Sequence, residues 1–100
     1  MSRIEAVGAA LKSVVQIIVS LPKHVDVRAK NGIDLSGREI TSFEINVHES
    51  DRGKLIGKGG ANMKALRVLV NSAAYLVGAR YRVNCEDLGG ESRTGSRIDL

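Results

Sequence analysis

Residues 51–62 have the sequence DRGKLIGKGGAN, in which glycine occupies three of four consecutive positions. These are Gly57, Gly59 and Gly60, with Lys58 between them, and a long helical pattern follows. Glycine permits positive φ and the close approach of another chain, but it costs conformational entropy on folding. We therefore expect an anionic ligand to approach this backbone at the start of a helix.

Positive charge concentrates around the same segment. The net charge of the chain is only +4, and residues 1–49 carry equal numbers of acidic and basic side chains. Residues 50–84 are strongly positive, whereas residues 85–100 are net negative. The basic side chains of the positive stretch are Arg52, Lys54, Lys58, Lys64, Arg67, Arg80 and Arg82. Such clustering is typical of proteins that bind a polyanion, although an ordinary solvated surface explains the charge equally well.

Length and composition narrow the class of protein. One hundred residues predict one domain. Cys85 is the only cysteine, so we expect a small buried side chain and neither an internal disulfide nor a zinc cluster. His24 and His48 are far apart in sequence, and we expect polar residues at strand ends rather than metal ligands. No leader or long apolar run is present, so we expect a cytoplasmic protein without a membrane segment or cofactor.

The first half of the chain predicts one helix and two strands. A capping box begins at Ser2, and apolar spacing predicts a helix over about residues 3–20. Alternation over residues 25–29 and again over 41–47 predicts two strands. Residues 30–39 are polar and contain two glycines, so we expect a long hairpin loop between the strands.

The second half predicts two helices and a third strand. Ser50 is positioned to cap a short helix that ends at the glycines, and the next helix begins near Ala61. Gly78 suits the end of that helix, and alternation over residues 81–85 predicts the last strand. Residues 86–100 lack apolar periodicity, and we expect a disordered tail.

The helix after the glycines carries three stripes at helical spacing. The predicted core stripe is Leu66, Leu69, Val70, Ala73 and Leu76. A polar stripe beside it is Lys64, Arg67 and Asn71. A second stripe of mostly small residues is Ala61, Ala65, Val68, Ser72 and Tyr75, which either packs on the first helix or forms a dimer face.

The element order, helix-strand-strand-helix-helix-strand, predicts an α+β domain. The first two strands can form an antiparallel hairpin, and the helical crossover makes the second and third strands parallel if they are adjacent. We expect all the helices to cover one face of a three-stranded mixed sheet.

The glycine segment does not match a nucleotide-binding enzyme. In a P-loop the lysine is followed by Ser or Thr, which binds magnesium. Here Lys58 comes too early in the pattern that starts at Gly53, and Gly59 stands where Ser or Thr is required. A dinucleotide fingerprint fails on the element order and on the downstream acidic residue. We therefore expect a binding protein rather than an enzyme.

The segment Ile56-Gly57-Lys58-Gly59-Gly60, between two helices, resembles the I-G-x-x-G signature of the KH domain. The flanking residues 51–55 and 65–67 are similar to the bacterial form of the motif. A helix and a hairpin before this core resemble the type II, prokaryotic arrangement. The size and layout are similar to those of small bacterial KhpA-type RNA-binding proteins. The resemblance covers residues 1–85; the 30–39 loop and the tail depart from it.

The resemblance implies a clamp for about four nucleotides of single-stranded RNA. The phosphates would be held by Gly57, Lys58, Gly59 and Gly60. Ile56 would line the apolar floor of a groove that runs between the glycine loop and the edge of the second strand, although its sequence position fits an ordinary core residue as well. Secondary phosphate contacts would come from Lys54, Lys64 and Arg67. The last two also fit an ordinary solvated helix face, and we expect Arg80 and Arg82 to be solvated.

The implied role is that of an RNA chaperone or a post-transcriptional regulator. One clamp with few phosphate contacts predicts low affinity that falls with salt. A second copy would raise the avidity, and the resemblance implies a homodimer or pairing with a second KH protein. The alternative is a protein-interaction module that uses the KH fold as a dimerisation scaffold.

Overall fold

The computed structural model describes residues 2–85, and its element order matches the prediction. The helices and strands are α1 (Arg3–Ile18), β1 (Asp26–Ile33), β2 (Glu39–Asn46), α2 (Arg52–Ile56), α3 (Ala61–Leu76) and β3 (Tyr81–Cys85). Short 3-10 turns lie at Pro22–His24, Glu49–Asp51 and Lys58–Gly60. The capping box at the start of α1 is formed, because the Ser2 and Glu5 side chains each accept the other's backbone N–H.

The sheet has the order β1-β2-β3, so β2 is its central strand. It pairs antiparallel with β1 and parallel with β3, as predicted. Alternate side chains of β2 are buried, and Phe43 and Ile45 are fully enclosed. The core includes Leu11 and Val15 of α1 on one side of these residues. This is the predicted α+β arrangement, with a three-stranded mixed sheet and the helices against its apolar face.

The other face of the sheet is polar. Glu44 lies on it and forms an ion pair with Lys30, with 3.1 Å between Oε1 and Nζ. Arg82 is exposed on the same face, as expected. Exposed ion pairs of this kind contribute about 0–1 kcal/mol, so burial on the opposite face dominates the stability.

The prediction that residues 30–39 form a long loop is wrong. β1 continues to Ile33, since Lys30 and Gly32 pair with β2 and this pairing outweighs their local turn preference. The turn is shorter and is organised by Asp34, whose carboxylate accepts the N–H groups of Ser36 and Arg38 at 2.9 and 3.0 Å. The Ser36 hydroxyl and then the Arg38 N–H are the main causes that lower the pKa of Asp34.

The predicted core stripe of α3 is wrong in part. Leu66 and Val70 are buried, but Leu69 and Leu76 are 59% and 76% exposed. The core positions also include Met63 and Ala74, which the prediction missed. Apolar residues occur around most of α3, so the 3.6-residue period alone did not identify the buried face.

The second stripe of α3 does not pack on α1. We call it the outward face of α3, and its members are Ala61, Ala65, Val68, Ser72 and Tyr75, all of which are exposed. Val68 is 65% and Tyr75 is 86% exposed. At about 3.6 residues per turn this face lies opposite the buried residues. Of the two alternatives for this stripe, packing on α1 is therefore excluded.

The predicted tail lies outside the described residues, and helices that could cross a membrane can be sought only within them. The predicted disordered tail, residues 86–100, falls outside residues 2–85 and stays a prediction. Within residues 2–85, every helix is too short or too polar to cross a membrane.

Candidate functional site

Asp51 attaches the start of α2 to the end of α1. Its side chain is 1% exposed, and its carboxylate oxygens accept the N–H groups of Ser20 and Leu21 at 3.1 and 2.8 Å. Burial alone would raise the pKa of Asp51, but these two N–H donors and the Lys54 ammonium outweigh it and lower the pKa. Asp51 thus joins two segments that are distant in the sequence.

His48, not Ser50, caps the turn that leads into α2. The imidazole Nδ1 of His48 accepts the Ser50 N–H at 3.1 Å, and the Ser50 hydroxyl contacts the same nitrogen at 2.8 Å. The His24 ring lies edge-on to His48, with 5.0 Å between the ring centroids. Among residues 2–85 no third His, Cys, Asp or Glu joins them to form a metal-binding group.

The glycine loop, residues 57–60, needs glycine at three positions because the backbone has positive φ there. The φ angles are 81° at Gly57, 63° at Gly59 and 80° at Gly60. The Gly57 N–H donates to the Gly53 carbonyl at 2.9 Å and ends α2. The Gly60 N–H donates to the Gly57 carbonyl at 3.0 Å, which closes the turn into α3.

The loop glycines have different surroundings. A Cβ on Gly57 would lie 2.7 Å from the backbone nitrogen of Asn62, closer than real Cβ contacts. A Cβ on Gly59 would meet nothing within 4 Å, and one on Gly60 would meet only the Lys64 side chain, at 4.0 Å. The Gly59–Gly60 backbone is therefore open to a ligand, whereas Gly57 is packed inside the loop.

The N-terminus of α3 lies next to this open backbone and is a favourable place for an anion to bind. No side chain caps the α3 N-terminus, and its first turn contains no acidic residue. Free N–H groups and the helix dipole attract negative charge at such an end. Lys58 and Lys64 are both exposed here, and the Lys64 Cε lies beside Gly60. Arg67 is exposed one turn further along α3.

Lys54 and Ile56, on either side of Leu55, have different surroundings. The Lys54 ammonium donates to the Ser20 hydroxyl and lies 3.7 Å from the Asp51 carboxylate, so it faces the end of α1. Ile56 is 38% exposed beside the loop, while Leu55 takes the core position. Ile56 is thus available as an apolar surface, and Lys54 is engaged in holding α2.

The predicted groove along the edge of β2 is wrong. β2 is paired on both sides, so it has no free edge over its paired residues. Among residues 2–85, the edge strand of the sheet that packs against α3 is β3 (Tyr81–Cys85). Arg80, just before it, forms an ion pair with Asp34 at 3.3 Å, so its guanidinium faces the hairpin turn rather than the glycine loop.

Asn62 belongs to the site, and the sequence reasoning missed it. Its Nδ2 donates to the Lys54 carbonyl at 2.7 Å and joins the start of α3 to α2. The last carbonyls of a helix lack partners within the helix, and an amide side chain can supply one. An Asn two positions after the glycines was the available signal.

Solved structures similar to this fold include two of Era. One, from Aquifex aeolicus and bound to GDP·AlF4⁻, has a TM-score of 0.56 at 14% identity. The other is Era in complex with MgGDPNP and nucleotides 1506–1542 of 16S ribosomal RNA, with a TM-score of 0.52 at 14% identity. In each case the likeness covers 83% of this chain and 31% of the Era chain. At this identity the likeness shows the fold alone.

Sequence relatives are closer. The RNA-binding protein KhpA of Mycobacterium leprae is 41% identical over 78 residues, which cover 78% of this chain and 88% of the relative. KhpA of Leifsonia xyli is 40% identical over 78 residues, covering 78% of this chain and 93% of the relative. The family model for the KH domain of KhpA/KhpB matches residues 9–85. The chain therefore belongs to the KhpA/KhpB KH-domain family.

Proposed function

We propose that this protein is a non-enzymatic, single-stranded RNA-binding protein that holds about four nucleotides through residues 57–60. The observation that carries the proposal is the open backbone of Gly59 and Gly60 in front of the uncapped, positive end of α3. The relatives' description as RNA-binding proteins supports RNA as the anionic partner.

The proposed roles follow from the surroundings of each residue. The Lys58 ammonium and the loop backbone, apart from the internally bonded N–H groups of Gly57 and Gly60, hold phosphates, and Lys64 and Arg67 add contacts along α3. Ile56 provides apolar contact beneath the bases. Lys54 is bonded to Ser20 and Asp51, but its side chain is 53% exposed and adds a secondary phosphate contact.

The biological role that fits is that of a cytoplasmic RNA chaperone or post-transcriptional regulator. Only a few basic side chains surround the loop, so we expect low affinity that decreases as salt rises. Low affinity permits rapid exchange between RNA molecules, which suits a chaperone.

The double substitution Lys58→Asp/Gly59→Asp tests the clamp. Asp tolerates the left-handed conformation of position 59 better than most residues, and a Cβ there meets nothing within 4 Å, so the fold should persist. We expect at least a tenfold loss of affinity for fluorescent single-stranded RNA, with an unchanged far-ultraviolet circular dichroism spectrum.

A matched control introduces the same charge change on α1. Lys12→Asp/Ser13→Asp alters two consecutive exposed residues and also makes the protein more negative by three charges. It should bind RNA nearly as well as the unmodified protein. Unchanged affinity of the loop variant, or an equal loss in both variants, would contradict the clamp.

The alternative, a protein-interaction module, is supported by the outward face of α3. A helix that is apolar on opposite faces is usually covered on both. The face has small residues at its start, Ala61 and Ala65, and Tyr75 near its end. Antiparallel packing of two copies would therefore set a large residue against small ones. We propose pairing with a second copy or with a second KH protein through this face.

Molecular mass in solution tests the pairing. If the protein pairs with itself, Val68→Ser/Tyr75→Ser should convert the dimer into a monomer, whereas Lys58→Asp/Gly59→Asp should leave it dimeric. A dimer that survives the first substitution would exclude this face. A protein that is monomeric at all concentrations and retains RNA binding would restrict any pairing to a different KH protein.

A further inference from the structure

We infer that Asn62 is a positioning residue that sets the shape of the RNA clamp. The inference rests on the proposed function, since it concerns how residues 57–60 are held in place. It starts from one bond: Nδ2 of Asn62, in the first turn of α3, donates to the Lys54 carbonyl in α2 at 2.7 Å. The two helices that flank the glycine loop are thus joined directly across its base.

Gly57 and Asn62 fit together tightly. A Cβ at position 57 would lie 2.8 Å from Asn62 Cγ and 2.9 Å from Nδ2, in addition to its collision with the backbone nitrogen. The missing side chain of Gly57 therefore leaves the space that the Asn62 amide crosses. Glycine at 57 thus leaves room for both the backbone and the amide of Asn62, whereas a Cβ at 59 or 60 would meet open space or the flexible Lys64 side chain.

The packing of both helices is independent of this bond. Leu55 of α2 is fully buried, and Asp51 ties its start to the end of α1. Met63 and Leu66 anchor α3 in the core. Loss of the amide should therefore leave the fold in place and release the angle between the helices, on which the presentation of the loop N–H groups depends.

Asn62→Ala tests the inference, with Asn71→Ala as the control on the exposed surface of the same helix. Affinity for single-stranded RNA should fall about two- to tenfold, the range expected for the loss of one neutral hydrogen bond. Backbone amide resonances of Gly57, Gly59 and Gly60 should shift in the free protein. Asn71→Ala should change neither the affinity nor these resonances.

The outcomes separate this inference from the proposed function. If Lys58→Asp/Gly59→Asp abolishes binding while Asn62→Ala changes neither affinity nor glycine resonances, the clamp stands and the inference falls. If neither variant alters RNA affinity, both fall. Should Asn62→Ala not fold, the near-isosteric Asn62→Asp, which lacks the amide donor, must shift the same glycine resonances; unchanged resonances would overturn the inference.

Discussion

At the scale of single residues, Gly57, Gly59 and Gly60 share positive φ but differ in what a side chain would meet. Gly57 faces the backbone of Asn62, and the other two face open space or a flexible lysine. Conformational strain applies to all three positions, whereas steric collision with backbone applies to Gly57 alone. The loop is therefore closely packed at its base and open at its tip.

This difference predicts the order of two alanine substitutions. Gly59→Ala should cost about 1–2 kcal/mol of unfolding free energy, because it places a Cβ in the left-handed region. Gly57→Ala should cost about 1–3 kcal/mol more, since the backbone must also move to relieve the collision. Urea denaturation followed by circular dichroism measures both. Equal losses would show that the contact with Asn62 is not tight.

Asp51 predicts a pH dependence of stability. Its pKa is lowered in the folded protein, so its stabilising effect is present above the unfolded value of about 3.9 and is lost as pH falls through the folded value. Asp51→Asn should lower the Tm at neutral pH. The Tm difference between the two proteins should shrink as the pH falls below about 3.9. Both proteins retain Asp34, so a difference constant with pH would contradict the role of Asp51.

At the scale of elements, the apolar period of the sequence predicted the α3 helix, but packing against the sheet determines which of its residues are buried. Its start near Ala61 and its helical character follow from the glycines and the apolar spacing. Its buried face does not, because Leu69 and Leu76 are as apolar as Leu66 and lie only one or two residues from core positions. The contact with the sheet selects Met63 and Leu66, and this contact involves residues far away in the sequence.

Two leucine substitutions in α3 test which positions are buried. Leu66→Ala should lower the unfolding free energy by about 2–5 kcal/mol, because it leaves a cavity in the core. Leu69→Ala should stay within about 0.5 kcal/mol, as for most exposed positions, when measured at concentrations where the protein is monomeric. Chemical denaturation gives both values. Comparable losses would mean that the described burial of α3 is incorrect.

In the strands, too, the local sequence pattern and the tertiary pairing determine different features. The alternation over β2 predicted its buried residues, since a strand with one buried face has a period of two. The extension of β1 through Gly32 could not be predicted locally, because Gly32 is held by its pairing with Ile40. Local patterns thus identified each strand, and pairing between strands set the length of β1.

At the scale of the whole molecule, the site is supported by residues that are far apart in the sequence. The glycine loop was predictable from the sequence, since its composition and setting are local. The Asp51 bonds to Ser20 and Leu21, the Asn62 bond and the contact of His24 with His48 were not. Three of these contacts join residues 24 to 31 positions apart and the Asn62 bond joins two helices, so no spacing rule predicts them. The loop is thus a local feature on a non-local support.

In the proposed function, single-stranded RNA lies across residues 57–60. The most direct measurement is a titration of nitrogen-15-labelled protein with short single-stranded RNA of mixed sequence, followed by backbone amide resonances. If RNA lies across this loop, the largest shifts should occur at Lys58, Gly59 and Gly60, with smaller ones at Lys64 and Arg67. Shifts confined to the outer face of the sheet or to the outward face of α3, with the glycine amides unchanged, would contradict it.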